Sequence, residues 1–331
     1  MRRACAVAAG ICLVIPALLV AQDYKIAFAS NKGIFTTNSQ GRDLQRLTAD
    51  PVAIVSDGAW SPDGKRILFF VFRKSDAALE YKYNLPLHFP MYAMDPDGKN
   101  QKRLLNVPVL PDAKWSPDGK SILFTSSFEG DARRRAVYIL DVATGQTRRL
   151  TELGFNGSAS WSPDGKKIAF SAGARPRDIC VVNADGANLK QLTNLGMITT
   201  NPVWSPDGRT IAFLAEGWFL MDANGANQKR VGSIPGVSAL AWSPDSKHVV
   251  VTGQNGAYVW NIGNGTSKAL PIEGGRILEA VFSPDGRKVI YRAHEGPQDK
   301  MYVVNADGSD RQTLNDNMGE HALFAVSPVI R

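Results

Sequence analysis

Four histidines are the residues of this chain best suited to metal or acid–base chemistry. His88, His294 and His321 lie far apart in sequence and would meet only if distant segments converged on one face of the fold. Neutral imidazoles brought together in that way bind a divalent metal. Their spacing does not require such a site, and isolated surface or core histidines are the simpler interpretation. His248 is expected near the opposite face.

Residue types that favour binding are concentrated in three irregular segments. Tyr and Arg are enriched at interface hot spots, and the segments 73–90, 129–135 and 173–178 contain Tyr81, Tyr83, His88 and Phe89, then Arg133, Arg134 and Arg135, then Arg175 and Arg177. An aromatic segment beside a basic cluster predicts a recognition patch for an acidic or polar partner. An uninvolved insertion and a solvated run of charge are the alternative.

A repeated sequence, Trp-Ser-Pro-Asp-Gly, indicates the elements that must position these residues. Successive copies, two of them variants, are 55, 46, 43, 38 and 40 residues apart and begin at Trp60, Trp115, Trp161, Trp204, Trp242 and Phe282. A period of about 40 residues with an aromatic-plus-turn signature is typical of a β-propeller blade.

Turn chemistry explains the residues of this motif. Ser first, Pro second and Gly fourth are preferences of a type I turn, with the glycine in the left-handed conformation. Ser246 replaces that glycine once and is expected to cost about 1 kcal/mol if it stays left-handed. A structural role is therefore predicted for Trp60, Asp63, Gly64, Trp115, Asp118, Gly119, Trp161, Asp164, Gly165, Trp204, Asp207, Gly208, Trp242, Asp245, Phe282, Asp285 and Gly286.

A second turn fixes the number of blades. Asn or Asp followed closely by Gly ends a short apolar strand seven times, whereas the first turn occurs six times. The unmatched second hairpin lies at residues 25–48, and a spare first strand lies at residues 322–328. One hybrid blade built from both ends would close the ring. We predict an all-β propeller of seven four-stranded antiparallel blades, with six blades as the alternative.

These repeats resemble the TolB-like β-propeller family. The resemblance rests on Trp-Ser-Pro-Asp-Gly-Lys, a strand ending Asn-Ala-Asp-Gly and a closing Arg-Leu-Thr, and it is closest at residues 161–193. It implies the propeller fold over nearly all of the chain after the leader. The α/β domain of TolB is expected to be absent, because the repeats follow the leader directly. A prolyl-oligopeptidase-type hydrolase is not expected, because no Gly-x-Ser-x-Gly elbow occurs.

Residues 1–21 have the pattern of a secretory signal peptide. A basic start at Arg2 and Arg3 precedes an uncharged apolar run, and Ala21 offers a cleavage point. A retained membrane anchor is the alternative. Residues 22–331 are then one propeller domain, located in the periplasm or secreted, with no membrane span after cleavage. Cys180 would be its one cysteine and is expected to pack in the core.

The formal charge of +7 does not by itself indicate nucleic-acid binding. Basic residues fall on predicted outer strands, where charge prevents edge-to-edge pairing of sheets. No single element interleaves basic and aromatic residues, and the predicted compartment argues against a nucleic acid.

Four carboxylates are expected near the mouth of the propeller channel, shortly before or within predicted first strands: Asp57, Asp112, Glu279 and Glu320. No catalytic residue, metal or cofactor is assigned there, although a channel-bound divalent ion is compatible with them. The sequence predicts a non-catalytic binding module or scaffold for an envelope or secreted protein or an anionic glycan. The alternative is a carbohydrate-active lyase or hydrolase with its site at the loop-side mouth of the channel.

Overall fold

Seven antiparallel sheets form the blades of a β-propeller. The computed structural model describes residues 24–30, 33–48, 53–54, 59–72, 90–105, 109–110, 112–127, 135–152, 157–173, 175–315 and 323–328. The prediction of a seven-bladed all-β fold is confirmed, and the six-bladed alternative is wrong.

The strands are numbered along the chain. Blade 1 contains β1 (Lys25–Ser30), β2 (Gly33–Asn38) and β3 (Gln45–Arg46), and blade 2 contains β4 (Ala53–Ile54), β5 (Ala59–Trp60), β6 (Ile67–Phe72), β7 (Met91–Met94) and β8 (Lys102–Arg103). Blade 3 contains β9 (Lys114–Trp115), β10 (Ser121–Ser126), β11 (Ala136–Asp141) and β12 (Thr147–Arg149), and blade 4 contains β13 (Gly157–Trp161), β14 (Lys167–Ala172), β15 (Asp178–Asn183) and β16 (Lys190–Gln191).

The remaining blades follow in order. Blade 5 contains β17 (Thr200–Trp204), β18 (Thr210–Ala215), β19 (Gly217–Asp222) and β20 (Lys229–Gly232), and blade 6 contains β21 (Ala239–Trp242), β22 (His248–Gly253), β23 (Gly256–Asn261) and β24 (Ser267–Ala269). Blade 7 contains β25 (Arg276–Phe282), β26 (Lys288–Glu295), β27 (Gln298–Asn305) and β28 (Gln312–Asn315), and β29 (Leu323–Val326) completes blade 1.

Each blade runs from an inner strand A to an outer strand D. The A strands of consecutive blades contact one another, as β13 contacts β17 and β21 contacts β25. The D strands β3, β8, β12, β16 and β24 are exposed. In blade 2 both β4 and β5 pair with β6, so they are two parts of one A strand. The core lies between blades, where apolar side chains of neighbouring sheets pack face to face.

The hybrid blade closes the ring. Strand β29 pairs antiparallel with β1, with Val326 opposite Ile26. The amide of Ser327 donates to the carbonyl of Lys25 at 2.8 Å, and the amide of Lys25 donates to Ser327 Oγ at 2.7 Å. Ser61 and Arg66 exchange the same two bonds within one turn of blade 2. Ser327 therefore forms, between the two ends of the chain, the same two hydrogen bonds that the motif serine forms within a repeat.

The Ser-Pro-Asp-Gly turns share one hydrogen-bond pattern. Ser61 Oγ accepts from the amide of Arg66 at 2.9 Å and donates to Asp63 Oδ1 at 2.6 Å, which also accepts from the amide of Lys65 at 3.1 Å. The bond from Ser61 lowers the pKa of Asp63 despite its partial burial. Ser246 has φ of +61°, which confirms the left-handed conformation that the sequence required there.

Adjacent turns also touch. A Cβ built on Gly119 would lie 3.7 Å from Cδ of Pro62 in the preceding blade, and Pro328 of blade 1 lies 3.6 Å from the corresponding point on Gly64. The indole of Trp115 donates to the carbonyl of Ala59 at 3.1 Å, again in the preceding blade. The motif thus joins neighbouring blades at their inner strands.

Cys180 lies half-buried in β15 and packs against the cluster between blades 3 and 4. Burial, and secondarily the nearby Asp178, raises the pKa of its thiol to about 11. At pH 8 the thiolate fraction is then roughly a thousandth, against roughly a tenth for an ordinary thiol. We expect iodoacetamide at pH 8 to label Cys180 of the folded chain, residues 22–331, at least about 100-fold more slowly than the urea-unfolded chain. Equal labelling rates would contradict the burial of this thiol.

Candidate functional site

The propeller has two unlike faces. One, here called the turn face, carries the A–B and C–D turns. The other, the loop face, carries the B–C and D–A connections. The B–C connections are long in three consecutive blades, at 73–90, 127–135 and 173–177, and contain only one or two residues in the other four, at 31–32, 216, 254–255 and 296–297. Irregular loops on a rigid scaffold are where binding usually occurs, so the B–C connections of blades 2–4, called the long-loop sector, form the candidate site.

Three of the predicted binding residues lie within the described part of the long-loop sector. Arg135 directly precedes β11 and is half-buried, Arg175 is exposed, and Arg177 is half-buried directly before β15. The other predicted residues lie outside the described residues: Tyr81, Tyr83, His88, Phe89, Arg133 and Arg134. The strands that flank the three segments belong to the consecutive blades 2, 3 and 4.

Backbone hydrogen bonds fix the blade 4 part of the sector. The carbonyl of Arg177 accepts from both the amide and the hydroxyl of Thr199, each at 2.8 Å, and the amide of Arg177 donates to the carbonyl of Met197 at 3.3 Å. Thr199 is fully buried, whereas its neighbour Ile198 is 40% exposed. The connection is thus bonded to the segment leading into blade 5, and it presents a basic and apolar surface.

Two of the predicted channel-mouth carboxylates can be placed, and the fold does not bring them together. Asp112, before β9 in blade 3, accepts from the amide of Thr125 at 3.3 Å, and burial raises the pKa of its carboxyl group. Glu279 lies in β25 of blade 7, which is not adjacent to blade 3. Asp57 and Glu320 lie outside the described residues.

His294 joins an ion network that sequence reasoning did not foresee. Its Nδ1 lies 2.8 Å from Asp299 Oδ1, while Arg292 Nη1 donates to Asp299 Oδ2 and Arg292 Nε lies 4.0 Å from Glu279 Oε2. The side chains of Arg292 and Asp299 are 10% and 4% exposed. A carboxylate-oriented imidazole can serve as a base or a metal ligand. Here Arg292 already balances Asp299, so the arrangement is that of a structural ion network.

The sequence did contain a signal for this network. Arg292 stands at a B-strand position that carries Thr125, Leu214 and Thr252 in other blades. A charged residue at a position otherwise apolar or hydroxylic indicates a buried partner. A second network lies between blades 6 and 7, where Arg311 is 2.6 Å from Glu295 Oε1 and Tyr302 donates to Glu295 Oε2.

Of the other three histidines, the structure describes the position of one. His248 begins β22 at the turn face, as expected, and His88 and His321 lie outside the described residues. Among the residues with described positions, no three His, Cys, Asp or Glu side chains are grouped so that they could hold a metal ion. Within that same part of the chain, no helix has the length and apolarity needed to cross a membrane.

Two repeat models of β-propeller proteins match separate parts of the chain. A model of the TolB beta propeller domain matches residues 70–218, and a model of the WD domain, G-beta repeat, matches residues 228–261. The Tol-Pal system protein TolB of Hahella chejuensis is 32% identical over 112 residues, which cover 33% of this chain. The alignment spans only 23% of that relative's length.

Solved structures share the fold. TolB from Acinetobacter baumannii matches with a TM-score of 0.57 and 22% identity over 91% of this chain and 66% of its own. A puromycin-hydrolyzing peptidase of Mycobacterium tuberculosis matches with 0.67 and 14%, over 91% and 53%. An oligogalacturonate lyase in complex with manganese matches with 0.63 and 14%, over 88% and 84%. At these identities the likenesses show architecture, not activity.

Motif, fold and alignment agree on a TolB-like β-propeller. The Trp-Ser-Pro-Asp-Gly turns recur at the A–B junctions of blades 2–5, the blades are four-stranded and antiparallel, and the matched model spans blades 2–5. Over residues 70–218 the chain is similar to the TolB beta propeller domain, and its fold is that of a TolB-like β-propeller.

Proposed function

We propose that this protein is a non-catalytic extracytoplasmic binding module, or scaffold, that uses the long-loop sector to hold a polar or acidic partner. The observation that carries the proposal is the restriction of long B–C connections to blades 2–4, while the other blades have connections of one or two residues. The other four blades close with connections of one or two residues, so the fold itself does not require the longer ones. Their placement on consecutive blades of one face supports a shared recognition role.

The chemistry of the sector supports an acidic partner. Arg175 is exposed, and Arg135 and Arg177 lie at the loop-face ends of β11 and β15. Arginine forms bidentate bonds with carboxylate and sulfate-like groups and is enriched at interface hot spots. Segment 73–90 adds tyrosines and a phenylalanine in sequence. The proposed partner is an envelope or secreted protein with an acidic segment, or an anionic glycan.

We also propose a periplasmic or secreted location. The basic and apolar start of the chain has the pattern of a secretory signal. The similarity to a Tol-Pal system protein supports the same compartment.

A charge-reversal experiment tests the site. We expect Arg133→Glu, Arg134→Glu and Arg135→Glu together to reduce capture of the partner from cell-envelope extract at least tenfold, because three charges that attract an acidic partner become repulsive. Capture on immobilised residues 22–331 would be followed by mass spectrometry and by glycan analysis. The thermal midpoint should stay close to that of the parent protein, since surface substitutions usually change stability by less than about 0.5 kcal/mol.

A matched control uses the opposite face of the same blades. Lys65, Lys120 and Lys166 are exposed and follow the motif turns of blades 2, 3 and 4. Replacing all three with Glu changes the net charge by the same amount and should leave capture intact. Capture that persists in the arginine variant, or that falls equally in the lysine variant, would remove the long-loop sector as the site.

A further inference from the structure

A cavity of about 430 Å³ opens on the turn face at the junction of blades 3 and 4. Its walls include Ser121 and Arg148 of blade 3, the indole of Trp161 in blade 4, and Asp118 and Asp164 from the two motif turns. Trp161 is held in place because its indole nitrogen donates to the carbonyl of Lys114 at 3.3 Å. None of these residues belongs to the long-loop sector, which lies on the other face.

The preceding junction shows what the cavity lacks. There the guanidinium of Arg66 lies over the ring of Trp115, with Cζ 5.6 Å from the ring centroid, and Trp115 is 8% exposed. Arg66 is the fifth residue after the motif serine of blade 2, and Ser121 is the fifth after that of blade 3. Ser121 is too short to cover the next tryptophan, so Trp161 is half-buried and the space above it is open.

Other junctions follow the same rule. Lys25 occupies the position of Arg66 in blade 1 and Lys167 occupies it in blade 4, and the tryptophans that follow them, Trp60 and Trp204, are each 7% exposed. A long basic side chain at this position is thus paired with a covered tryptophan, and the cavity beside Lys167 and Trp204 is the smaller one, about 260 Å³ against about 430 Å³ at Trp161. The small residue of blade 3 leaves a cation-binding position without its cation.

Blade 5 also has a small residue at this position, Thr210, before the half-buried Trp242. That junction differs because Ser246 replaces the motif glycine, and its hydroxyl accepts from the amide of Asp207 at 3.0 Å. The turn there carries a side chain where blade 4 has Gly165.

We propose that the cavity at Trp161 binds the arginine side chain of a partner polypeptide, which would stack on the indole as Arg66 stacks on Trp115. Guanidinium groups stack favourably on tryptophan and bind carboxylates through paired N–H donors. Oδ1 of Asp118 and of Asp164 already accepts from the serine hydroxyl and from a backbone amide of its own turn. Within the described part of the chain, Oδ2 of each carboxylate has no hydrogen-bond partner and can accept from the guanidinium.

The basic residues around the cavity do not cancel this attraction. Arg148 donates to the carbonyls of Ala184 and Asp185, which fixes its charge at the outer wall. Lys102 holds the equivalent strand position in blade 2, so the junction with the Arg66–Trp115 pair also has a basic residue on its outer strand. A peptide-borne arginine suits the site better than free arginine, whose own carboxylate would meet Asp118 and Asp164.

Blocked tripeptides are the probes. Acetyl-Ala-Arg-Ala-amide would be titrated into ¹⁵N-labelled protein, residues 22–331, while the indole N–H resonance of Trp161 is followed by NMR. We expect a saturable shift with a Kd on the order of 1–10 mM for a single side chain. The peptide with citrulline, a neutral isostere, should bind at least tenfold more weakly, and the lysine peptide and free arginine about threefold or more weakly.

The decisive variant is Ser121→Arg, which supplies the missing cation from within the chain. It should abolish the titration at Trp161, with at least tenfold weaker binding, while Thr210→Arg at the equivalent site of blade 5 should not change it. Asp118→Asn combined with Asp164→Asn should weaken binding three- to tenfold. This double variant tests the proposal independently if Ser121→Arg does not fold.

The outcomes separate clearly. No saturable shift up to 50 mM peptide, equal binding of arginine and citrulline peptides, or unchanged binding to Ser121→Arg would each overturn the proposal. Equal binding of the lysine peptide would overturn the choice of arginine. These variants do not change the loop-face arginines. A negative result at Trp161 would therefore not contradict the proposed function, and a negative result in the charge-reversal experiment would not contradict the arginine site.

Discussion

Replacing Asp299 with Asn is expected to lower the free energy of unfolding by about 3–5 kcal/mol. Asp299 balances the charge of Arg292, and the two side chains are 4% and 10% exposed. Without that carboxylate, Glu279, 4.0 Å from Arg292 Nε, would be the one acidic group left beside that guanidinium among the described residues, and His294 Nδ1 would face an amide in place of a carboxylate. Removing one member of a buried ion pair leaves an uncompensated buried charge, which costs more than the pair contributes. Urea unfolding followed by tryptophan fluorescence measures the change.

Two variants control this result. Asp310→Asn removes an exposed carboxylate 4.0 Å from Lys288 in the same blade and should cost less than about 0.5 kcal/mol. Arg292→Thr combined with Asp299→Asn removes both charges, and threonine already stands at this position in blades 3 and 6, as Thr125 and Thr252. The double variant should be at least about 1 kcal/mol more stable than Asp299→Asn alone. A cost below about 1 kcal/mol for the single variant would show that water reaches Arg292.

A protein that ends at residue 322 is expected to lose cooperative unfolding, or at least on the order of 5 kcal/mol of stability. Without β29 the inner edge of β1 would be unpaired, and the side chains of Ile26 and Phe28 would lose cover on that side. An exposed apolar edge strand also promotes aggregation. Calorimetry and size-exclusion chromatography would measure both effects.

The matched variant for this experiment is Ser327→Ala. It keeps β29 and the bond from the amide of residue 327 to Lys25, and it removes only the hydroxyl that accepts from the amide of Lys25. Its cost should be about 1 kcal/mol. A synthetic peptide of residues 318–331 should restore cooperative unfolding to the truncated chain. A truncated chain as stable as the full one would disprove the structural role of β29.

The propeller could be predicted from sequence because its information is local and repeated. Each motif turn contains its own hydrogen-bond partners, so Ser61, Asp63 and Gly64 specify the turn without reference to distant residues. The hybrid blade followed from counting two turn types against each other. The left-handed Ser246 followed from its position in the repeat.

The repeat pattern could not predict the ion network or the cavity, because both depend on contacts between residues that are not linked by the repeat. The network of Glu279, Arg292 and Asp299 uses three strands of one blade. The cavity at Trp161, where Ser121 stands in place of a long basic residue, is about 430 Å³, against about 260 Å³ at Trp204, where Lys167 holds that position. Both depart from the repeat, and the unusual residues Arg292 and Ser121 can be seen by aligning the repeats, but the side chains they meet or leave uncovered are known only from the structure. The partner chemistry of segment 73–90 is a property of irregular sequence and remains a proposal.

The pairing of β29 with β1 also sets an order of events during synthesis. Lys25 and Ser327 are separated by 302 positions, so at about 5–20 residues per second the first strand is complete on the order of 15–60 s before its partner exists. During that interval blades 2–7 can form by pairing between strands close in sequence, while the inner edge of β1 in blade 1 stays unpaired. If the chain crosses a membrane, β1 is the strand most in need of a chaperone until β29 has emerged and paired with it.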